Sequence, residues 1–287
     1  DKMKKIICEN NKNDKVAFTY DFPYFLKSID GIYKVSGNVT TVSSAFGIGE
    51  SYSGTSIKKR PIVITGIIKD NFKERRQLLY KMFPLKTEGT LYYYEDDIKR
   101  KITYEVEDID IEEKGIPRTF TISLICPNPY FTDIEENEVS MATWTPKFCF
   151  PMISEKGIGI EFATKNVTVM GTITNDTNIE FGITIHFIAN GHVKDPYLVN
   201  VETQEQISID IEMEAGDKII ITTQRGKKDI IYIPDSTGIP EDINYKMKYG
   251  SKFLQMHTGN NTLRAGAEEE EENLTTNVYY YNEYEAV

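Results

Sequence analysis

The sequence is poor in cysteine and in long apolar stretches, and each shortage excludes a class of protein. Three cysteines, Cys8, Cys126 and Cys149, fit no CxxC spacing and indicate neither a disulfide framework nor a zinc site, so we interpret them as small, reduced residues. No apolar run approaches the roughly 18 residues of a membrane span, and residues 1–14 lack the apolar core of a secretory signal. We therefore expect a soluble protein made in a cytosol, without membrane insertion.

Catalytic and metal-binding patterns are also missing. The three histidines, His186, His192 and His257, have neither HExxH nor any other metal-ligand spacing. The sequence has no GxSxG, no P-loop and no convincing GxGxxG. The acidic run 268–272 repels itself and is typical of a solvated loop. We expect no catalytic residue, no metal and no cofactor, which favours a structural role over an enzyme.

Positive charge is in deficit, because 44 Asp and Glu against 33 Lys and Arg give a net charge of −11 and a pI near 5.0. Affinity for DNA comes chiefly from Lys and Arg on phosphates, so we expect no stable binding of nucleic acid. The basic runs 58–60 and 225–228 are short. Charge at strand edges discourages edge-to-edge pairing, and solvated edges are their simplest interpretation.

Period-2 alternation of Val, Ile, Thr, Tyr and Phe dominates what is present, and it predicts antiparallel strands separated by turns. The segments in the first half are 61–68, 90–95, 100–112 and 118–125. In 100–112 the alternation changes phase near Glu107 and Asp108, which predicts a β-bulge. The carboxylates of this strand are Glu105, Glu107, Asp108 and Asp110. We interpret them as solvent-facing, because no His, Cys or Ser partner is near them in sequence.

One segment departs from the β pattern. Asn71 as N-cap, Glu74 at the third helical position and Pro84 at the end predict a helix over 71–83. Its apolar stripe consists of Phe72, Leu79, Met82 and Phe83. We expect this helix to pack on the open side of a small sheet or half-barrel, as a structural element without chemistry.

The pattern changes after residue 131. Pro127 and Pro129 interrupt the strands, and the acidic connector 132–138 follows. We therefore predict two domains, 1–133 and 134–287. The second has short strands separated by turns and no convincing helix, which indicates a β-sandwich or jelly roll. Its predicted strands are 147–150, 157–162, 166–173, 179–188, 197–202, 206–213, 218–224, 229–233 and 275–285.

The order and spacing of several segments resemble the phage distal tail protein family, the siphovirus tail component. In the first half these are "FPYFLKSIDGI" (22–32), "GTSIKKRPIVITGII" (54–68), the single helix and "ISLICPNPYF" (122–131). In the second half, 178–232, with its "PYLVN" turn and "AGD", and "KFLQMHTGNNTL" (252–263) are similar to the family's C-terminal domain.

The sequence departs from the family pattern at two places. "SSAFGIGESYSG" (43–54) replaces the usual Pro-containing Asp-Gly loop, and the run of five glutamates lengthens the penultimate hairpin. The first departure leaves the ring contacts of that loop open.

The resemblance implies an N-terminal split β-barrel or sheet with one helix, which forms a ring, and a C-terminal galectin-like β-sandwich. It implies a hexameric ring at the distal end of the tail that joins the tail tube to the baseplate or tail tip and lets DNA pass. The implied partners are other copies of the chain, the tail tube protein, a tail-tip or tail-associated protein and a receptor-binding protein. The implied location is the virion tail, after synthesis in the cytoplasm of the bacterial host.

In such a ring, the loop and strand before the helix would lie where neighbouring subunits pair. The signs of the charges then predict a contact between a basic cluster and an acidic edge. The candidate residues are Lys58, Lys59 and Arg60 on one copy, and Glu105, Glu107, Asp108 and Asp110 on the next.

Two other functions stay open at this point. A carbohydrate-binding tail module that helps adsorption to the host cell wall would present planar aromatic rings, for which Trp144, the run 279–281 and Tyr284 are candidates. Alternation puts Tyr279 and Tyr281 on one face and Tyr280 on the other, which is more typical of a strand packed on both sides. A hydrolase would need an Asp or Glu pair that no motif indicates.

Overall fold

The structure is a computed structural model that describes residues 4–43, 48–146, 163–167 and 170–287. The chain forms two compact units. The first comprises Asp1–Ile134 with Glu283–Val287, and the second comprises Glu135–Asn282. The described residues are mainly β-strand with one α-helix, which confirms the predicted fold class.

The first unit is built on one antiparallel sheet. The strands and helix of the unit are β1 (Lys5–Asn10), β2 (Lys15–Phe18), β3 (Tyr24–Asp30), β4 (Gly37–Ser43), β5 (Glu50–Ile57), β6 (Arg60–Ile68), α1 (Phe72–Met82), β7 (Glu88–Glu95), β8 (Ile98–Ile111), β9 (Arg118–Cys126) and β10 (Phe131–Asp133). The strand order is β2-β1-β7-β8-β9-β6-β3, with β10 on β8. The two edge strands, β2 and β3, approach through a single bridge between Thr19 and Phe25.

Alternation in the sequence directs one face of this sheet to the core. The burial of β6 and β9 switches at every residue, so that side chains such as Ile62, Ile64 and Ile122 are buried. Helix α1 covers the same core with Leu79 and Met82, and each such side chain contributes about 1.5–3 kcal/mol when buried. The predicted helix is therefore confirmed.

The start of α1 differs from the prediction. Asn71 adopts the left-handed conformation with φ 42° and makes no hydrogen bond from its side chain as a cap, so the predicted capping box is wrong. Asn tolerates this conformation better than most residues. The backbone still begins the helix, because the amide of Arg75 donates to the carbonyl of Asn71 at 3.0 Å.

The bulge predicted in β8 is confirmed. The pairing of β8 with β9 shifts register between Val106 and Asp108. Glu107 and Asp108 are consequently both exposed, although a regular strand would send neighbours to opposite faces.

The second unit is a sandwich of two larger sheets. Its strands are β11 (Asn137–Ser140), β12 (Ala142–Pro146), β13 (Ala163–Val167), β14 (Met170–Asn175), β15 (Phe181–Ala189), β16 (Val193–Lys194), β17 (Tyr197–Asn200), β18 (Glu205–Ser208), β19 (Glu212–Met213), β20 (Lys218–Thr222), β21 (Asp229–Ile233), β22 (Glu241–Asp242), β23 (Gln255–Met256), β24 (Gly259–Gly266) and β25 (Leu274–Tyr280). Short 3₁₀ turns cover Asn244–Lys246 and Glu271–Asn273.

One sheet has the order β11-β25-β15-β20-β21-β22, and the other has the order β14-β24-β17-β18. Their buried residues form one core, to which β15 contributes Ile183, Ile185 and Phe187, and β24 contributes Leu263. The predicted strands 147–150 and 157–162 lie outside the described residues, as does Cys149.

The end of the chain returns to the first unit. A two-residue strand, β26 (Glu283–Tyr284), pairs with β10 and places Tyr284 opposite Phe131. The predicted second domain includes these last residues, whereas in the structure they belong to the first unit. That the two units are domains able to fold separately stays a prediction.

Candidate assembly surfaces

The predicted basic cluster divides into exposed and buried residues. Lys58 and Lys59 are exposed in the connection between β5 and β6. Arg60 is the first residue of β6 and is only 2% exposed. Only the two lysines are therefore available to meet another molecule, and Arg60 leaves the set of candidate contacts.

Arg60 binds main-chain carbonyls of its own unit. Its guanidinium donates to the carbonyls of Gly31 and Ile32 at 2.9 Å, to Pro129 at 2.7 Å and to Glu285. The guanidinium carbon also lies 4.9 Å from the ring centroid of Phe131. Burial lowers the pKa of Arg60 from its ordinary value, and the ring and carbonyls compensate the buried charge. Arg60 therefore has a structural role, because it links separate segments of the first unit through their carbonyls.

The predicted acidic edge is exposed along β8. The carboxylates are Glu105, Glu107, Asp108 and Asp110, all of them exposed. The register places Glu105 opposite Ile125, which in turn lies opposite Pro61. Among these described residues, no ion pair joins the acids to Lys58 or Lys59 within the chain. A contact between copies stays a prediction.

The region before β6, which we interpret from the sequence as a loop, forms a hairpin of β4 and β5. Among the described strands, β4 and β5 pair only with each other, as a separate two-stranded sheet. Every residue of β4 is exposed, and so is all of β5 except the half-buried Gly54. The two strands contain a single charged residue, Glu50, and carry the exposed apolar side chains Val39, Val42, Tyr52 and Ile57.

A hairpin of this kind is marginally stable in water when nothing covers it. Low charge combined with exposed apolar and aromatic side chains is the composition found at the centres of protein interfaces. The β-branched residues of β4 were the available sequence signal, but they show no alternation, because neither face of the hairpin meets a core.

A second apolar surface of the first unit is a groove of about 720 Å³ beside β3 and β9. Phe22 and Ile116 line it and are exposed. The Lys69 ammonium lies 4.3 Å from the ring centroid of Phe22, and Arg118 also lines the groove. Asp70 and Glu113 line it too, so the groove offers apolar area flanked by charges of both signs.

The aromatic residues suggested for sugar binding are packed within the chain. Tyr280 stacks on Phe181 with ring centroids 5.7 Å apart, and Tyr279 lies against His186 at 4.7 Å. Tyr284 lies under the guanidinium of Arg100 at 3.6 Å. The side chain of Trp144 lies outside the described residues. The described candidates therefore present no open aromatic platform.

The remaining reactive side chains do not form a site in the part of the chain that the structure describes. Cys8 and Cys126 are buried, and burial raises the pKa of Cys126 to about 12, so that thiolate is scarce at neutral pH. Within the described ranges, no group of three or more His, Cys, Asp or Glu is placed to hold a metal ion. No described helix is long and apolar enough to cross a membrane.

Two family models match the chain, one in its first half and one in its second half. Residues 14–126 match the phage tail protein RIFT-related domain. Residues 174–284 match the siphovirus-type tail component, C-terminal domain. A search of curated proteins found no match.

Solved structures of phage tail proteins have the same fold. The chain is similar to the SPP1 Dit protein, described as a paradigm of the hub adsorption apparatus in phages that infect Gram-positive bacteria, with a TM-score of 0.66 and 11% identity over 97% of this chain and 99% of that one. It is also similar to a chain of the phage P2 baseplate in its activated conformation with Ca, with a TM-score of 0.53 and 12% identity over the full length of both.

The two matched models lie in the order that the sequence resemblance implied, and they describe structural components of phage tails, not enzymes. The chain belongs to the siphovirus-type tail component family and is a structural protein of the distal tail.

Proposed function

We propose that copies of this chain form a hexameric ring at the distal end of the tail, where the ring joins the tail tube to the baseplate or tail tip. The exposed hairpin β4–β5 carries the proposal. Its strands contain one charged residue and pair with no other described strand, in a chain in which 27% of residues are charged. Another protein surface would remove its apolar side chains from water.

A closed ring requires each subunit to present two different complementary surfaces. The hairpin, with Lys58 and Lys59 directly after it, supplies one of them. The acidic edge of β8 and the groove at Phe22 and Ile116 supply opposite charge and apolar area elsewhere on the same unit. The predicted contact of Lys58 and Lys59 with the acids of β8 stays in this arrangement. The apolar hairpin takes the place of Arg60 in the contact surface.

Substitution within the hairpin tests the proposal. The variant Val42→Lys with Tyr52→Lys changes two exposed residues, so folding should change by no more than about 0.5 kcal/mol, but assembly should be lost. The matched control, Leu78→Lys with Tyr80→Lys, makes the same change on exposed residues of α1. Light scattering of the full chain compares the two variants. Unchanged assembly of the hairpin variant would contradict the proposal.

The ring would also serve as a conduit for DNA. Six copies carry six times −11, a net charge of about −66, which repels the phosphate backbone. We expect no retention of duplex DNA in a gel-shift assay at about 0.15 M salt. Tight, salt-sensitive binding would instead reveal a basic surface and contradict the conduit.

The proposed position at the distal end of the tail implies the partners of the chain. They are other copies of the chain, the tail tube protein on one side, and a tail-tip or tail-associated protein on the other, with a receptor-binding protein at the second unit. The similarity of the fold to the SPP1 hub protein and to a chain of the P2 baseplate supports this position.

A further inference from the structure

The two most exposed aromatic side chains among the described residues lie in the second unit, away from the predicted aromatic run. Tyr245 is 80% exposed and Tyr249 is 106% exposed. Both belong to the connection between β22 and β23, and Tyr245 lies in the 3₁₀ turn Asn244–Lys246. Ring formation by the first unit does not involve either of them.

The backbone that carries Tyr249 is firmly held. Residues 248–251 form a turn in which the amide of Ser251 donates to the carbonyl of Lys248 at 3.1 Å and Gly250 has φ 86°, as a type II turn requires. Both ends bind Ser208. The amide of Lys248 donates to the carbonyl of Ser208 at 2.9 Å, and the amide of Ser208 donates to Oγ of Ser251 at 3.1 Å.

Side chains add to this anchoring. The Lys248 ammonium donates to Asp195 at 2.8 Å and to Glu268 at 2.6 Å. The segment before Tyr245 is also fixed, because the amide of Ile243 donates to the carbonyl of Ile230 at 2.9 Å. Both rings are therefore presented by an ordered backbone, so that binding a ligand costs little conformational entropy.

Polar residues adjoin Tyr245 along the chain. Asn244 donates from Nδ2 to carboxylate oxygens of Asp229 at 2.9 Å and of Asp242 at 2.8 Å, which orients both carboxylates at the residue that precedes Tyr245. Asp210 is exposed, and its amide donates to the carbonyl of Lys246 at 2.8 Å. Each carboxylate has further lone pairs that can accept from hydroxyl groups.

The composition distinguishes this surface from the hairpin. Residues 241–252 contain five charged side chains, whereas the two strands of the hairpin contain one. Interface cores between proteins are depleted in charge, so the tyrosine segment does not resemble one. Open aromatic rings beside oriented carboxylates suit a ligand with apolar C–H faces and many hydroxyl groups.

We propose that Tyr245 and Tyr249, with Asp210, Asn244 and Asp242, form a carbohydrate-binding surface on the second unit. The rings stack on pyranose faces, and the carboxylates and the amide oxygen accept from sugar hydroxyls. The two tyrosines are four residues apart, so their Cα atoms are separated by at most about 14 Å. An oligosaccharide can span that distance and contact both rings.

Saturation-transfer NMR of the full chain with tetrasaccharides of glucose, galactose and N-acetylglucosamine tests the site. We expect transfer to pyranose ring protons from at least one of the three. The variant Tyr245→Ala with Tyr249→Ala should weaken that binding at least about tenfold. Tyr245→Phe with Tyr249→Phe keeps the rings and should bind within about threefold of the original chain, and Tyr80→Ala on α1 is the matched control.

Absence of transfer from all three sugars, or transfer unchanged in the double alanine variant, would overturn the proposal. Retention of a purified tail protein through these tyrosines, without sugar binding, would overturn it in favour of protein docking. None of these three outcomes bears on the ring, because none of the variants changes the first unit's hairpin or groove.

Discussion

At the residue scale, Arg60 holds together parts of the first unit that are far apart in the sequence. One guanidinium binds the turn at Gly31 and Ile32, the connection at Pro129 and the chain end at Glu285. Its removal leaves several carbonyl groups unsatisfied, and hydrogen bonds from a charged donor contribute about 1.5–3 kcal/mol each.

We expect Arg60→Met to destabilise the first unit by at least about 3 kcal/mol, since methionine fills the space but donates no hydrogen bond. Calorimetry of the full chain should then show the melting temperature of this unit lowered by roughly 10 °C. The neighbouring exposed substitution Lys59→Met should change stability by less than about 0.5 kcal/mol. Equal losses of stability in the two variants would show that the hydrogen bonds of Arg60 do not stabilise the unit.

The burial of Arg60 was predictable in principle. Alternation along β6 puts residue 60 in phase with Ile62 and Ile64, which are both buried. The adjacent lysines concealed this phase, because three basic residues in a row indicate a surface. The four carbonyls that Arg60 binds come from distant segments, and no local pattern identifies them.

At the element scale, the hairpin β4–β5 and its basic end determine the predicted contact with the next copy. Lys58 and Lys59 follow the hairpin directly, and the acids of β8 are exposed on the same unit. Like charges brought together at an interface cost several kcal/mol, so a reversal of sign is a sensitive test.

Lys58→Glu with Lys59→Glu should raise the concentration needed for assembly at least about tenfold at 0.15 M salt. Lys73→Glu with Lys81→Glu on α1 makes the same change in net charge at exposed positions and should have little effect. Analytical ultracentrifugation of the full chain distinguishes them. If the two pairs behave alike, net charge alone would explain the result and the specific contact would be abandoned.

The elements that the sequence predicts are those whose sequence pattern is local. Strands β6 to β9, helix α1 and the bulge in β8 depend on periodicity within about a dozen residues, and all were predicted. The hairpin has no buried face and so no alternation. Strand β26 is two residues long, and its partner β10 is about 150 residues away, so only folding in three dimensions shows the pair.

At the scale of the whole molecule, the return of residues 283–287 to the first unit changes how the two units should be separated. We expect a fragment of residues 135–282 to fold alone as a monomeric sandwich, because its strands pair within the unit. Circular dichroism and calorimetry of this fragment make the test. An insoluble or molten fragment would count against independent domains.

A fragment of residues 1–134 provides the comparison. It lacks β26 and the carbonyl of Glu285 that Arg60 binds. We expect it to melt at a lower temperature than the same unit in the full chain, whereas the second unit should be insensitive to the cut.

The central claim is that the first unit assembles by two different surfaces into a closed ring of six. Native mass spectrometry of the purified full chain, over a range of concentrations, tests it most directly. We expect a species of six times 32.9 kDa, about 197 kDa, without a stable dimer as the final assembly. A chain that stays monomeric at every concentration, or an assembly that stops at two copies through one self-complementary surface, would contradict it.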